Sequence, residues 1–108
     1  MARYMIQASY SSEGIAVLVK DPQDRSAAVR RMIERMGGKL ETFDYCFGDY
    51  DVVAILELPD NVTMMSTSMA IASSGALKNF KTTVLLPMDQ ALEAMRKASS
   101  VGYQPPGH

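Results

Sequence analysis

The chain has 108 residues, of which 47% are hydrophobic and 21% are charged, and its formal net charge at pH 7 is −1. This length suits one domain, and the balance of apolar and charged residues is that of an ordinary globular protein. A net charge so near zero argues against a surface dedicated to nucleic acid or to an anionic membrane, because both require clustered positive charge.

The chain has few of the residues that form disulfides, catalytic triads or metal sites. The single cysteine, Cys46, excludes an intrachain disulfide and suits a reducing compartment. The only histidine, His108, is the last residue, which argues against a His-centred triad or a His-rich metal site. The amino-terminal segment has no signal-peptide pattern, and no apolar run approaches the ~20 residues of a membrane span. We therefore expect a cytoplasmic protein without metal or cofactor.

The first half of the chain predicts a strand and an amphipathic helix. Residues 3–10 read as the first strand, whereas residues 13–19 are ambiguous between a short helix and an extended segment. Asp21 and Pro22 predict a helix start, with Asp21 as the N-cap. Gly37-Gly38 ends this helix, and its apolar positions recur at helical spacing: Val29, Met32, Ile33 and Met36.

The second half predicts a hairpin, a helix, a strand and a last helix. Residues 39–47 and 51–58 flank Gly48-Asp49, a plausible two-residue turn. Pro59-Asp60 opens a helix that runs to about Ser74, with the apolar stripe Val62, Met65, Met69 and Ala72. Residues 79–86 predict a fourth strand. The last predicted helix has as its apolar positions Met88, Ala91, Leu92 and Met95.

This order is β-α-β-β-α-β with an extra carboxyl-terminal helix. It predicts an α+β, ferredoxin-like sandwich in which the helices lie on one face of an antiparallel four-stranded sheet. We expect one domain over residues 1–98 and a tail over residues 99–108.

The strands do not alternate cleanly between apolar and polar residues. Val52 to Leu56 and Val84 to Leu86 are continuous apolar runs, so both faces of these strands favour burial. The sheet face without helices would then be an exposed apolar patch, which is typical of an interface. We expect a homo-oligomer in which a second copy covers this face; alternatively, the carboxyl-terminal helix folds back over it.

The predicted hairpin divides its side chains between two faces. With Gly48-Asp49 in the turn, Tyr45 pairs with Val52, and Asp44 pairs with Val53. One face is a plausible core: Phe43, Tyr45, Phe47, Tyr50, Val52, Ala54 and Leu56. The other face mixes apolar and acidic residues, as an enclosed pocket would: Leu40, Thr42, Asp44, Cys46, Asp51, Val53, Ile55 and Glu57.

In this fold one end of the sheet collects several polar and aromatic side chains. They predict a site for a small polar ligand formed by Tyr10, Tyr45, Gly48, Tyr50, Asp51 and Lys78. Asp51 and Tyr50 are the candidate catalytic pair, if burial raises the pKa of Asp51. The structural alternative is that Gly48 and Asp49 only form the turn, that Tyr50 and Asp51 cap the hairpin, and that Cys46 is a small buried apolar residue.

The sequence resembles the GYD domain family, a small and mostly bacterial group. The resemblance covers roughly residues 4–98 and rests on Tyr10 to Gly14, Asp21 to Arg25, Gly37 to Glu41, Gly48 to Val53 and Ser74 to Ala76. Gly48, Tyr50 and Asp51 match the motif that names the family. The resemblance implies a ferredoxin-like domain similar to the dimeric α+β barrels, a group that includes cofactor-independent monooxygenases and small-molecule-binding proteins.

Three functions follow as expectations. The first is a homo-oligomer that binds a small organic molecule near the hairpin that contains Gly48, Asp49, Tyr50 and Asp51. The second is a cofactor-independent, monooxygenase-like enzyme with Asp51 as base and Tyr50 or Tyr10 as hydrogen-bond donor. The third is a structural or regulatory interaction module. We expect no nucleic-acid or membrane partner.

Overall fold

A computed structural model describes residues 1–107 of the chain. Its strands are β1 (Ala2–Tyr10), β2 (Lys39–Tyr45), β3 (Val52–Leu58) and β4 (Leu77–Leu85). Its helices are α1 (Ser12–Lys20), α2 (Arg25–Arg35), α3 (Asn61–Ser73) and α4 (Met88–Ala98). The sheet order is β2-β3-β1-β4 with every neighbouring pair antiparallel, which confirms the predicted ferredoxin-like α+β fold.

The ambiguous segment after β1 is a helix, α1. The helix that follows it, α2, begins later in the chain than the sequence predicts. Ser11 caps α1 by accepting a hydrogen bond from the Gly14 N–H at 3.1 Å. Asp21 ends α1, because its N–H donates to the Val17 carbonyl, so the prediction that Asp21 caps the following helix is wrong. Asp24 caps α2 instead and accepts from the Ser26 N–H at 2.9 Å.

The core lies between one face of the sheet and the helices. Ile33 of α2 and Met64 of α3 pack against buried side chains of two strands. These side chains are Tyr4 and Ile6 of β1 and Ala54, Leu56 and Leu58 of β3. The predicted stripe of α2 is confirmed, since Ile33 is fully buried and Val29, Met32 and Met36 pack against the same cluster. Helix α2 ends at Arg35, and Gly37 follows its cap residue with a φ of +82°, the left-handed conformation that glycine adopts without strain.

The predicted stripe of α3 is wrong. Its members Val62, Met65 and Met69 are exposed, whereas Met64 and Thr67 are buried. Apolar and hydroxyl side chains occur on every side of this helix, so periodicity alone does not select the inward face. Thr67 can be buried because its hydroxyl donates to the Thr63 carbonyl one turn earlier, at 2.8 Å.

The predicted register of the hairpin is confirmed next to the turn and wrong at its far end. Tyr45 pairs with Val52 and Asp44 with Val53, as expected. A β-bulge at Glu41 then shifts the pairing, so that Leu40 lies opposite Leu56 and is buried on the core face instead of the other one. At the turn, the ladder ends at Tyr45 and Val52, and the loop over residues 46–51 is wider than the two-residue turn predicted.

Apolar side chains of the sheet and of α4 remain uncovered. The sheet face away from α1, α2 and α3 carries the half-buried residues Met5, Val53, Ile55 and Leu85. Helix α4 does not cover this face: Met88 and Met95 are 68% and 63% exposed, and the molecule extends to 60 Å along its longest axis. The alternative that the carboxyl-terminal helix folds back over its own sheet is therefore wrong for this structure.

No helix within residues 1–107 combines the length and the apolar character that crossing a membrane requires.

Candidate functional site

A cavity of about 530 Å³ lies between the core face of the sheet and the helices α1, α2 and α3. This volume falls within the roughly 300–1,000 Å³ range of small-molecule sites. Most of its lining is aliphatic or aromatic, and each of the four strands contributes at least one side chain, among them Ile6, Phe43, Val52 and Phe80.

Small residues create this space. Ala8 and Ala54 stand on the core faces of β1 and β3, and Ala28 faces them from α2. Gly14 of α1 lies so close to the start of β4 that a Cβ at this position would be 2.7 Å from the Ala76 carbonyl oxygen. Short side chains at facing positions leave room that larger ones would fill.

Most polar groups in the lining are already hydrogen-bonded. The hydroxyl of Thr67 donates to the Thr63 carbonyl, and the hydroxyl of Ser74 donates to the Ile71 carbonyl at 2.6 Å. Two further polar side chains stand where the chain enters α2: Gln23, which is exposed, and Arg25, which is half-buried. Arg25 is the charged member of the described lining.

Tyr10 and Tyr45 form an aromatic pair at one end of the sheet. Their rings stack with centroids 6.3 Å apart at an interplanar angle of 23°, and their hydroxyl oxygens are 3.3 Å apart. Burial, and then the hydrogen bond with Tyr45, raise the pKa of Tyr10 above its usual value. Tyr10 therefore stays protonated at neutral pH, where it can donate a hydrogen bond but cannot act as a base.

Asp51 ties the β2–β3 loop to β1. Its carboxylate accepts a hydrogen bond from the Tyr10 N–H at 3.0 Å, and its own N–H donates to the Ala8 carbonyl at 2.8 Å. Its carbonyl accepts from the Cys46 N–H at 2.8 Å. A further bond at 3.1 Å joins the Ser9 hydroxyl to the Asp49 carbonyl, so the loop is held to the strand at several points.

The structure brings some of the predicted site residues together and leaves others apart. Tyr10 is in direct contact with both Tyr45 and Asp51. Lys78 is exposed near the start of β4. Of the six predicted ligand-binding residues, Tyr10 lines the cavity, and the others lie outside its lining: Tyr45, Gly48, Tyr50, Asp51 and Lys78. That these five bind a ligand stays a prediction.

Sequence reasoning missed Gln23, Arg25 and the alanines of the cavity. In the sequence, Arg25 belongs to the segment Asp21 to Arg25 that resembles the family, and no local signal marks it as a residue of a cavity. The available signal was Ala8 and Ala54, two small residues at inward positions of neighbouring strands. Small residues at such positions mark either close packing or a space, and the sequence does not distinguish the two.

Within residues 1–107, no group of three or more His, Cys, Asp or Glu side chains is arranged to hold a metal ion. Cys46 is exposed, and its thiol donates to the Tyr50 carbonyl at 3.2 Å, so the expectation of a buried cysteine is wrong. His108 lies outside the described residues.

A sequence model of the GYD domain matches residues 4–95. The chain belongs to the GYD domain family. No curated protein matched the chain. In this GYD domain, the motif residues Gly48, Tyr50 and Asp51 lie in the loop between β2 and β3, where Asp51 joins the loop to β1.

Proposed function

We propose that this GYD domain binds a small, largely apolar organic molecule in the cavity between its sheet and its helices, and that it does so as a homo-oligomer. The cavity of about 530 Å³ is the observation that carries the proposal. A space of this size with an apolar lining favours a ligand over an empty core, since protein interiors are normally close-packed.

The cavity has an interior and a mouth. Buried Ile6, Ala54 and Met64 form its inner wall. Exposed Gln23 and Ser74 stand at its rim, so a molecule can reach the interior between α1, the start of α2 and the end of α3. The site predicted at the hairpin and the cavity meet at Tyr10, which belongs to both.

The enzymatic alternative gains no support from the loop geometry. The carboxylate of Asp51 is engaged by the Tyr10 N–H, and neither Asp51 nor Tyr50 lines the cavity. A general base must reach the proton that it removes from a bound substrate. We therefore favour binding over catalysis.

The uncovered sheet face supports the homo-oligomer. Met5, Val53, Ile55 and Leu85 form an apolar patch on which none of the helices of residues 1–107 packs. A second copy of the same face would cover it about a two-fold axis. Closure into a dimeric α+β barrel and residence in the cytoplasm stay predictions.

Cavity filling tests the ligand proposal. Ala28 and Ala27 are neighbours on α2, and Ala28 lines the cavity whereas Ala27 does not. We expect Ala28→Leu to reduce binding of the neutral apolar dye Nile red about tenfold or more, and Ala27→Leu to leave binding within about twofold. Native mass spectrometry of the purified protein should show a retained small molecule in the wild type and less of it in Ala28→Leu. Equal dye binding by both variants would contradict the proposal.

Two charge substitutions test the homo-oligomer and its surface. Ile55 lies on the uncovered sheet face, and Leu92 lies on α4 and is 42% exposed. We expect Ile55→Glu to dissociate the oligomer in sedimentation velocity, and Leu92→Glu to leave it assembled. A monomeric wild type would refute the oligomer, and dissociation by Leu92→Glu alone would move the interface to α4.

A further inference from the structure

We propose that the molecule bound in this cavity is an apolar body carrying one anionic oxygen-acid head, such as a carboxylate, and that Arg25 is the counter-ion of that head. This inference rests on the proposed function, because it assigns a ligand class to the same cavity.

Arg25 differs from Arg3 and Arg30, whose side chains have protein partners at short distance. Arg3 pairs with the carboxylate of Glu41 at 2.7 Å, and Arg30 donates to the Leu40 carbonyl at 3.0 Å. Within residues 1–107, the side-chain hydrogen bond of Arg25 is a long one, from Nη1 to the Gln23 Oε1 at 3.4 Å, and no carboxylate lies within ion-pair distance. A guanidinium has five N–H donors, so most of its donors remain available to a ligand.

Arg25 carries the one charged side chain of the described lining, which contains no Asp and no Glu. Outside the lining, the carboxylate of Asp51 is already engaged by the Tyr10 N–H at 3.0 Å. Partial burial strengthens Coulomb interactions and makes an unpaired charge costly. An anion that pairs with Arg25 removes this cost, whereas a cation would be repelled.

The positions of the polar and apolar groups define an orientation for the ligand. Arg25 and Gln23 stand together where the chain enters α2, whereas Ile6, Ala54 and Met64 lie in the buried interior. A charged head would stay at the rim beside Arg25, and the apolar body would fill the interior. Amphipathic ligands place their two ends in this way when one end of a site is wet and the other is dry.

The planar fork of a guanidinium matches the two oxygens of a carboxylate, which it can bind through two parallel hydrogen bonds. A neutral alcohol of the same chain length offers the same apolar contact without the charge. The difference between the two ligands therefore isolates the contribution of Arg25.

The experiment compares decanoate with decanol at a pH near 7.5, below their aggregation concentrations, by displacement of Nile red. Nile red is neutral, so its binding reports the cavity and not the charge. In the wild type, we expect decanoate to bind at least about tenfold more tightly than decanol. In Arg25→Met, this ratio should fall to about one. Arg25→Lys keeps the charge without the fork and should retain part of the preference.

The control is Arg31→Met on the exposed side of α2, outside the cavity lining, which should keep the wild-type ratio. If the wild type binds Nile red and shows equal affinity for decanoate and decanol, the ligand class is wrong and the binding function survives. If the wild type binds neither dye nor ligand, the binding function itself is wrong. Loss of the preference in Arg31→Met as well as in Arg25→Met would assign it to the general charge of α2 and overturn the role of Arg25.

Discussion

The carboxylate of Asp51 accepts a hydrogen bond from the backbone N–H of Tyr10 at 3.0 Å, and this bond joins the β2–β3 loop to the end of β1. The Asp51 N–H donates in turn to the Ala8 carbonyl, which extends the pairing of β3 with β1 by one more bond. A side chain and a backbone group of one residue thus add two hydrogen bonds at the end of the ladder between the two central strands. The motif residue Asp51 has a structural explanation that requires no ligand.

We expect Asp51→Ala to lower the free energy of unfolding by about 1 to 2 kcal/mol, because it removes the acceptor of the Tyr10 N–H. Asp51→Asn keeps an oxygen acceptor and should cost less. Both variants should still bind Nile red, since Asp51 lies outside the cavity lining. Urea unfolding and dye titration measure the two properties separately.

The matched control is Asp44→Ala, a carboxylate removed from an exposed position of β2. Its free energy of unfolding should change by less than about 0.5 kcal/mol. Normal stability in Asp51→Ala together with lost ligand binding would instead support the ligand-binding role predicted for Asp51.

Gly14→Ala should destabilise the protein, against the usual helical preference. Alanine at a helical glycine normally adds about 0.5 to 1 kcal/mol of stability. At position 14 the new Cβ would lie 2.7 Å from the Ala76 carbonyl oxygen, so α1 or the start of β4 must move. We expect a loss of about 1 to 3 kcal/mol in urea unfolding.

Ala16→Gly, at an exposed position of the same helix, provides the reference for ordinary helical propensity. It should cost about 0.5 to 1 kcal/mol. A gain of stability in Gly14→Ala would show that α1 does not approach β4 this closely.

Truncating a side chain should lower the free energy of unfolding strongly in the core and hardly at all in α4. Ile33 is fully buried in α2, so Ile33→Ala should lower the free energy of unfolding by about 2 to 5 kcal/mol. Met95 on α4 is 63% exposed, so Met95→Ala should change it by less than about 0.5 kcal/mol. Unfolding at low protein concentration measures both; a large cost for Met95→Ala would show that α4 is packed against the domain.

The order of the elements was predictable from the sequence because local signals mark their ends. As expected, Gly37-Gly38 follows the end of α2 and Asp60 precedes the start of α3. The register near the hairpin turn followed from side-chain alternation. The bulge at Glu41 was not predictable, since no Gly or Pro marks it, and it moved Leu40 to the core face. The prediction of the inward face of α3 was wrong because this helix carries apolar side chains on every side.

The candidate site was less predictable than the fold. The contact of Tyr10 with Tyr45 and Asp51 followed from the topology, because these residues lie at strand ends that meet at one end of the sheet. The cavity depends on how far three helices stand from the sheet, and side-chain packing of distant elements sets that distance. Arg25 shows the limit: its sequence position indicates a helix start, and only the packed helices place it on a cavity.

Acid should weaken the fold through the helix caps. The hydrogen bonds from the Thr63 N–H and hydroxyl, at 2.8 and 2.7 Å, hold the pKa of Asp60 below its usual value. Between the lower folded pKa and the unfolded value, the unfolded chain binds more protons. The stability from this cap is therefore complete above the unfolded pKa of about 4, and it is lost as the pH falls through the folded pKa.

Asp60→Asn isolates this contribution, because asparagine is about as good an N-cap and does not titrate. We expect the variant to unfold at nearly the wild-type temperature at neutral pH and to lose less stability than the wild type as the pH falls from about 5 to about 2. Asp24, whose pKa is lowered by its hydrogen bonds with Ser26, should behave in the same way in Asp24→Asn. Asp21→Asn is the control for the substitution itself, since Asp24 and not Asp21 caps α2, and it should unfold at nearly the wild-type temperature at neutral pH. Parallel acid profiles for the wild type and Asp60→Asn would show that the carboxylate does not cap α3.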